Sequence, residues 1–236
     1  MMKNYGFLPA AFLAIWCCGC VQPQNAAKQQ AEVQKKIFRQ AVKYTDFPVA
    51  RTALYNIIAL NPGDSAYVDS LFFFYASSRA FQQAVFLGNE LIAKNPGDTT
   101  VRELLAISKQ ALGLMKEALE DYEALFAKTN SPDYLYQIAS LQYNLKRVEE
   151  CNRSVNQLLG MNSAENQKVD IQYGQNQSQQ VPVKAAAYNI LGVLARDVNQ
   201  KETAIAAFRK ALEVFPDFEL AKGNLDALQK GTADRK

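Results

Sequence analysis

Adjacent carboxylates are the first place to look for acid–base chemistry. The chain offers two sets, Glu149-Glu150 and Glu117 with Glu120. Both lie in stretches of helical periodicity, where surface carboxylates are solvated by default. There is no His among the 236 residues, which removes the commonest general base and every His-containing zinc or haem site. No Gly-rich phosphate loop, Ser-centred elbow or metal-ligand spacing occurs. The four cysteines, Cys17, Cys18, Cys20 and Cys151, are too unevenly placed for a metal site or a disulfide framework. The expectation is a chain that is not an enzyme, with no cofactor, no metal and no small-molecule substrate. A net charge of +3 gives no ground for nucleic-acid binding.

Three of the cysteines belong to the first twenty residues, where Lys3 precedes an apolar run from Phe7 to Trp16. That run is too short to span a bilayer, which takes about 20 residues, but suits the core of a secretion signal. Gly19-Cys20 follows, then the polar stretch Val21-Gln22-Pro23-Gln24-Asn25. This start resembles a bacterial lipoprotein signal. The resemblance implies a signal peptide over 1–19, cleavage before Cys20 and diacylation of its thiol, with 20–30 as lipidated Cys and linker. Cys17 stands where the family usually has Leu. An uncleaved anchor or an ordinary secretory signal is the alternative. The resemblance implies a lipid-anchored protein of the cell envelope. Val21, which is not an inner-membrane-retaining Asp, points to the outer membrane facing the periplasm.

The elements that would present any binding surface follow from internal self-similarity. Asn61-Pro62-Gly63-Asp64 recurs 34 residues later as Asn95-Pro96-Gly97-Asp98, and Pro216-Asp217 closes a similar stretch. In register with these, Ala50, Ala84, Ala118 and Cys151 are spaced 34, 34 and 33 residues apart, and Ala204 follows. Gly and Pro supply only 19 of the 236 residues, against about 12% in an average chain, which favours helices with short connections. Tyr188, Leu191, Gly192 and Ala195 form one face of a helix, and Ala204, Phe208 and Ala211 form the stripe of a second. Gly192 and Ala204 are small because the two helices cross there, so Leu at either position is expected to disrupt the pair. Phe208 and Leu191 are read as filling the space between one hairpin and the next. Pro216 ends the unit.

Ala187-Tyr188-Asn189-Ile190-Leu191-Gly192, then Ala204, Phe208, Ala211 and Pro216, resembles a tetratricopeptide repeat, with Ala195 where the family has Tyr. The resemblance implies an all-α fold, a right-handed superhelical solenoid of about five helix-turn-helix repeats plus a C-terminal capping helix. Units are read at 31–64, 65–98, 99–131, 132–165 and 185–218, with the capping helix at 219–230. In the third unit, Arg102 and Lys109 occupy positions where apolar residues are expected. Residues 166–184 carry eight Gln or Asn among nineteen. They are read as a disordered loop, so deletion of 170–180 is expected to leave stability nearly unaltered.

The resemblance further implies that first helices line a concave face that binds partner proteins or peptides. Carried over by position, the binding residues are Lys35, Arg39 and Lys43, then Phe73, Ile107, Tyr136, Tyr143, Asn189 and Arg196. The three cations could meet acidic peptides or anionic headgroups, or form a solvated face; Phe73 could floor a groove or be buried. The clamp that eukaryotic members use for chaperone tails is missing, since Arg39, Ser70, Thr100 and Leu104 depart from it. Cys151 takes the packing role of a small residue. The sequence thus describes an envelope interaction scaffold whose partners are other envelope proteins or peptides. Its alternative is a structural subunit or pilotin-type assembly factor of an outer-membrane complex, docking by its convex face or the Gln-rich insertion.

Overall fold

A computed structural model describes residues 23–62, 65–174 and 177–233. Its helices pair in order: α1 (Pro23–Lys43) with α2 (Phe47–Leu60), α3 (Ser65–Ser77) with α4 (Phe81–Lys94), and α5 (Thr99–Ala111) with α6 (Met115–Thr129). Two further pairs follow, α7 (Pro132–Asn144) with α8 (Val148–Leu159) and α9 (Val183–Asp197) with α10 (Lys201–Val214), and then the single helix α11 (Glu219–Ala233). Two strands, β1 (Lys168–Gln172) and β2 (Ser178–Pro182), lie between α8 and α9. The chain divides into two compact units between Leu71 and Phe72. The first holds α1, α2 and the start of α3; the second holds the rest.

The short turn inside every hairpin is built the same way. One residue adopts a left-handed conformation: Thr45, Arg79, Gly113, Lys146 or Asn199, with φ of 57–76°. The N–H after it donates to a carbonyl five residues back, as in Ala80 to Tyr75 and Gln200 to Ala195. Its own N–H donates three residues back, as in Asn199 to Arg196. This double bond closes the C-terminus of each first helix and reverses the chain. Asp46 and Asp98 cap α2 and α5 by accepting from the N–H groups of Val49 and Val101.

Within each hairpin the small residue of the second helix is fully enclosed. Ala50, Ala84, Ala118, Cys151 and Ala204 have no exposed surface. Around this contact the hairpins solve one volume problem in different ways. Twelve residues before and four after the small residue stand Phe72 and Gly88 in the second hairpin, but Gly192 and Phe208 in the fifth. A Cβ on Gly88 would meet the Phe72 ring at 2.7 Å, and one on Gly192 would meet the Phe208 ring at 2.4 Å. Ala106 with Tyr122 and Ala139 with Val155, all four buried, hold these places in the third and fourth hairpins, whereas the first has Phe38 with Leu54. The expectation that Phe208 fills space between hairpins is therefore corrected in part: its ring lies on Gly192 of its own hairpin. Leu225 and Leu228 of α11 pack on the same cluster.

Arg102 and Lys109, the two charges at apolar positions of the third hairpin, are both answered by Asp121 on α6. Asp121 is 4% exposed and accepts from Arg102 Nη1 at 2.8 Å and Lys109 Nζ at 2.6 Å. Removing one member of such a buried ionic group leaves the rest uncompensated.

Two expectations change. The segment 20–30, read as linker, is helical from Pro23, because Ala26-Ala27-Lys28-Gln29-Gln30 contains only residues compatible with a helix. The Gln/Asn-rich insertion 166–184, read as a loop, holds the antiparallel pair β1–β2 with Val169 opposite Val181 and Ile171 opposite Gln179. Val169, Ile171 and Val181 are buried in the same core cluster as Ala185 and Ala186 of α9. The strands order because alternate residues reach that core, while Lys168, Asp170, Gln172, Ser178 and Gln180 face outward.

Two outcomes follow. Phe208→Gly alone should cost about 3–5 kcal/mol through the cavity it leaves, and Gly192→Phe alone should also destabilise. The double variant, which restores the order found at Phe72 and Gly88, should recover much of the loss. Urea denaturation of the three proteins measures this, and strictly additive losses would refute the complementarity. Deleting 170–180, contrary to the loop reading, should lower the melting temperature by uncovering the α9 core, whereas an unchanged value would show the strands to be dispensable.

Candidate functional site

A second pair of facing positions decides where the hairpins are hollow. Nine residues before and three after the enclosed small residue stand Tyr75 and Leu87, Lys109 and Asp121, Gln142 and Ser154, and Ala195 and Ala207. The second and third of these pairs are closed by polar contacts, the ion pair above and a 2.8 Å hydrogen bond from Ser154 Oγ to Gln142 Oε1. In the fifth hairpin both members are Ala, and a groove of about 460 Å³ opens over them. Its floor is Tyr188, Leu191, Leu194 and Val198 of α9 and the segment after it. One wall is Val148, Asn152 and Asn156 of α8, and the other is Thr203, Ala206 and Ala207 of α10. Glu149 and Gln200 stand at one end, and Lys210, whose Nζ lies 5.7 Å from the Tyr188 ring centroid, at the other. The volume falls within the range of ligand and peptide pockets, and an apolar floor with a few polar edges is their usual make-up.

The groove opens between two second helices. The expected binding residues stand on first helices, and the structure sorts them. Phe73 and Ile107 remain open, 38% and 43% exposed, with Phe73 edge-on to Phe72. Tyr136 is half-buried against the core, and this burial pushes its phenol pKa up. Tyr143 donates from its hydroxyl to Asp197 Oδ2 at 2.7 Å, linking α7 to the end of α9. Arg196 donates to Asp197 Oδ1 and to Asn224 Oδ1, and Asn224 Nδ2 donates to Asn189 Oδ1 at 3.0 Å. Asn189 is buried. Tyr143, Arg196 and Asn189, expected as partner contacts, thus belong to a polar ladder across α7, α9 and α11. Partial burial works against the Asp197 carboxylate, but hydrogen bonds from Tyr143 and Arg196 hold its pKa below the usual value.

In the first compact unit, Lys35 pairs with Glu32 at 2.7 Å and lies over the Tyr67 ring. Arg39 and Lys43 are exposed, and Lys43 Nζ is 5.4 Å from the Tyr44 ring centroid. Cys151 Sγ donates to the Ala139 carbonyl, and burial pushes its pKa up to about 11, so the thiol stays protonated and unreactive. Among the described residues no group of three His, Cys, Asp or Glu side chains could hold a metal ion. Cys20 lies outside the described residues.

The sequence pointed at the groove only through Ala195, where the tetratricopeptide pattern has a large Tyr. Its facing Ala207 carried no signal of its own.

Comparison with known proteins agrees with this architecture. Residues 185–218, the α9–α10 hairpin with its closing turn, match the tetratricopeptide repeat family model. Solved structures share the fold across most of the chain. A tetratricopeptide repeat protein from Parabacteroides merdae aligns over 85% of this chain and 72% of its own, at 16% identity and a TM-score of 0.65. YrrB, described as a tetratricopeptide repeat protein with an unusual peptide-binding site, aligns over 85% and 97%, at 14% identity and a TM-score of 0.60. MamA from Desulfovibrio magneticus aligns over 80% and 97%, at 14% identity and a TM-score of 0.59. The fold is therefore all-α, of the tetratricopeptide-repeat solenoid class. No curated protein matches the chain by sequence.

Proposed function

We propose that the chain is a non-enzymatic protein-interaction scaffold of the bacterial cell envelope, which docks partner proteins or peptides on its helical hairpins. The observation that carries this reading is the α8–α10 groove, an apolar trough with amide and hydroxyl edges and no assembled catalytic group. It suits an extended or helical peptide whose apolar side chains enter over Ala195 and Ala207 while its backbone or polar groups meet Asn152, Asn156 and Thr203. Docking there belongs to the side of the second helices, the alternative kept open by the sequence. Phe73 and Ile107 support a second reading, a contact on the first helices, because large apolar side chains left open on a surface favour an interface.

The envelope setting rests on the residues before Pro23. Anchoring through a lipidated Cys20, at the outer membrane facing the periplasm, is part of the proposal. Among the described residues no helix is long and apolar enough to cross a membrane.

Two measurements test this. Ala207→Phe should fill the groove, keep the helical circular-dichroism spectrum and lose partners in a pull-down from cross-linked envelopes. If partners persist there but vanish in Phe73→Ala/Ile107→Ala, the first-helix face is the docking surface instead. Intact-mass spectrometry should show a chain beginning at an acylated Cys20 and lacking Trp16, the chain's single tryptophan; an unmodified Cys20 would refute the anchor.

A further inference from the structure

The strand pair of the insertion leaves one backbone edge open. The register of β1 on β2 is continued by the Tyr173 N–H donating to the Gln177 carbonyl and the Val183 N–H donating to the Gln167 carbonyl. The odd-numbered residues of β1 are therefore the ones that exchange hydrogen bonds with β2. In an antiparallel pair the residues between them turn their N–H and C=O groups away from the partner strand. On β1 these are Lys168, Asp170 and Gln172, all exposed. Among the described residues no backbone hydrogen bond from outside the strand pair reaches them. The outer edge of β2 is different. Pro182 has no N–H to offer there, and the Gln179 side chain is held by the turn before α11.

The side chains at that edge restrict what can join it. Lys168 and Asp170 project on the outward face, and their cross-strand neighbours within the hairpin are the neutral Pro182 and Gln180. Among the described residues neither charge forms an ion pair. A second β1, laid antiparallel about a two-fold axis at Val169, supplies what both lack. Lys168 of each copy then stands opposite Asp170 of the other, and outward-pointing backbone groups meet outward-pointing backbone groups. Val169 meets Val169 on the face that is buried against the α9 core. Sliding the copies by two residues sets Lys168 against Lys168 in one direction and Asp170 against Asp170 in the other. Opposite charges directly across a strand pair stabilise it and like charges destabilise it, so the charges select one register. An unrelated extended segment needs a matching alternation of its own, whereas a second copy carries it already.

We propose that two copies of this chain join through their β1 edges, antiparallel about Val169, so that two two-stranded sheets become one. An open edge is a template for another strand, and here the charges name the strand and its register. The contact is small, one short strand from each copy, so pairing is weak and depends on concentration. It uses neither the α8–α10 groove nor the first helices, and it stands whether or not partners dock there.

The purified full chain, kept in detergent where it carries a lipid, is examined by sedimentation equilibrium. The expected result is a two-chain species at high micromolar concentration. Lys168→Asp and Asp170→Lys should each weaken it by about tenfold or more in dissociation constant. Both side chains are exposed, so the circular-dichroism spectrum should not change. Mixed in equal amounts, the two variants should pair again, because each then carries the charge that the other lacks. The double variant Lys168→Asp/Asp170→Lys should pair as the unaltered chain does. An unaltered chain that stays single at high micromolar concentration would overturn the proposal, as would pairing that survives either single variant. A mixture of the two variants that stays unpaired would overturn it too, since the register would then be wrong.

Discussion

Two helices of a hairpin can approach only as closely as the side chains between them allow, and every hairpin here sets that distance with one fully enclosed small residue on its second helix. Ala50, Ala84, Ala118, Cys151 and Ala204 hold this position. Once the axes are that close, the next facing pair shares the remaining volume, and in the second and fifth hairpins a ring on one helix lies against glycine on the other. Phe72 with Gly88 and Gly192 with Phe208 do so in opposite order.

The second facing pair is under a looser constraint, because it lies toward the neighbouring hairpin and not within the crossing. It has been filled by an aromatic and Leu, by an ion group, by an amide and hydroxyl, and by two alanines. The alanine versions leave hollows, in the fifth hairpin and, through Ala41 and Ala53, in the first. Surface with binding potential thus arises where a repeat omits volume, while the crossing beside it stays closed.

The period of the fold was legible in the sequence because the crossing tolerates so few residue types. Ala or Cys recurs at 34, 34 and 33 residues through the first four hairpins, and again at Ala204 past the insertion. Other features were hidden for physical reasons. Arg102 and Lys109 look like misfits until Asp121 is seen beside them across the hairpin. The ladder from Tyr143 to Asn189 joins residues on three separate helices, each polar and unremarkable alone. The strands escaped notice because the abundant Gln and Asn of the segment mask the alternation of Val169, Ile171 and Val181 with outward polar residues. Composition reports the exposed half of such a strand pair, whereas burial depends on the other half.

The inserted strands also reach past their own hairpin. Gln179 uses both ends of its amide on the turn before α11: Nε2 donates to the Asp217 carbonyl at 2.6 Å, and Oε1 accepts from the Glu219 N–H. A helical array touches only its nearest neighbours, so its terminal helix is ordinarily free to peel away by itself. Here α11 leaves only by giving up the two hydrogen bonds that a side chain forty residues earlier makes to the turn before it. α11 is thus tied to the strand pair by Gln179 as well as to α9 by Asn224, a second long-range fastening against fraying in a chain built from local contacts.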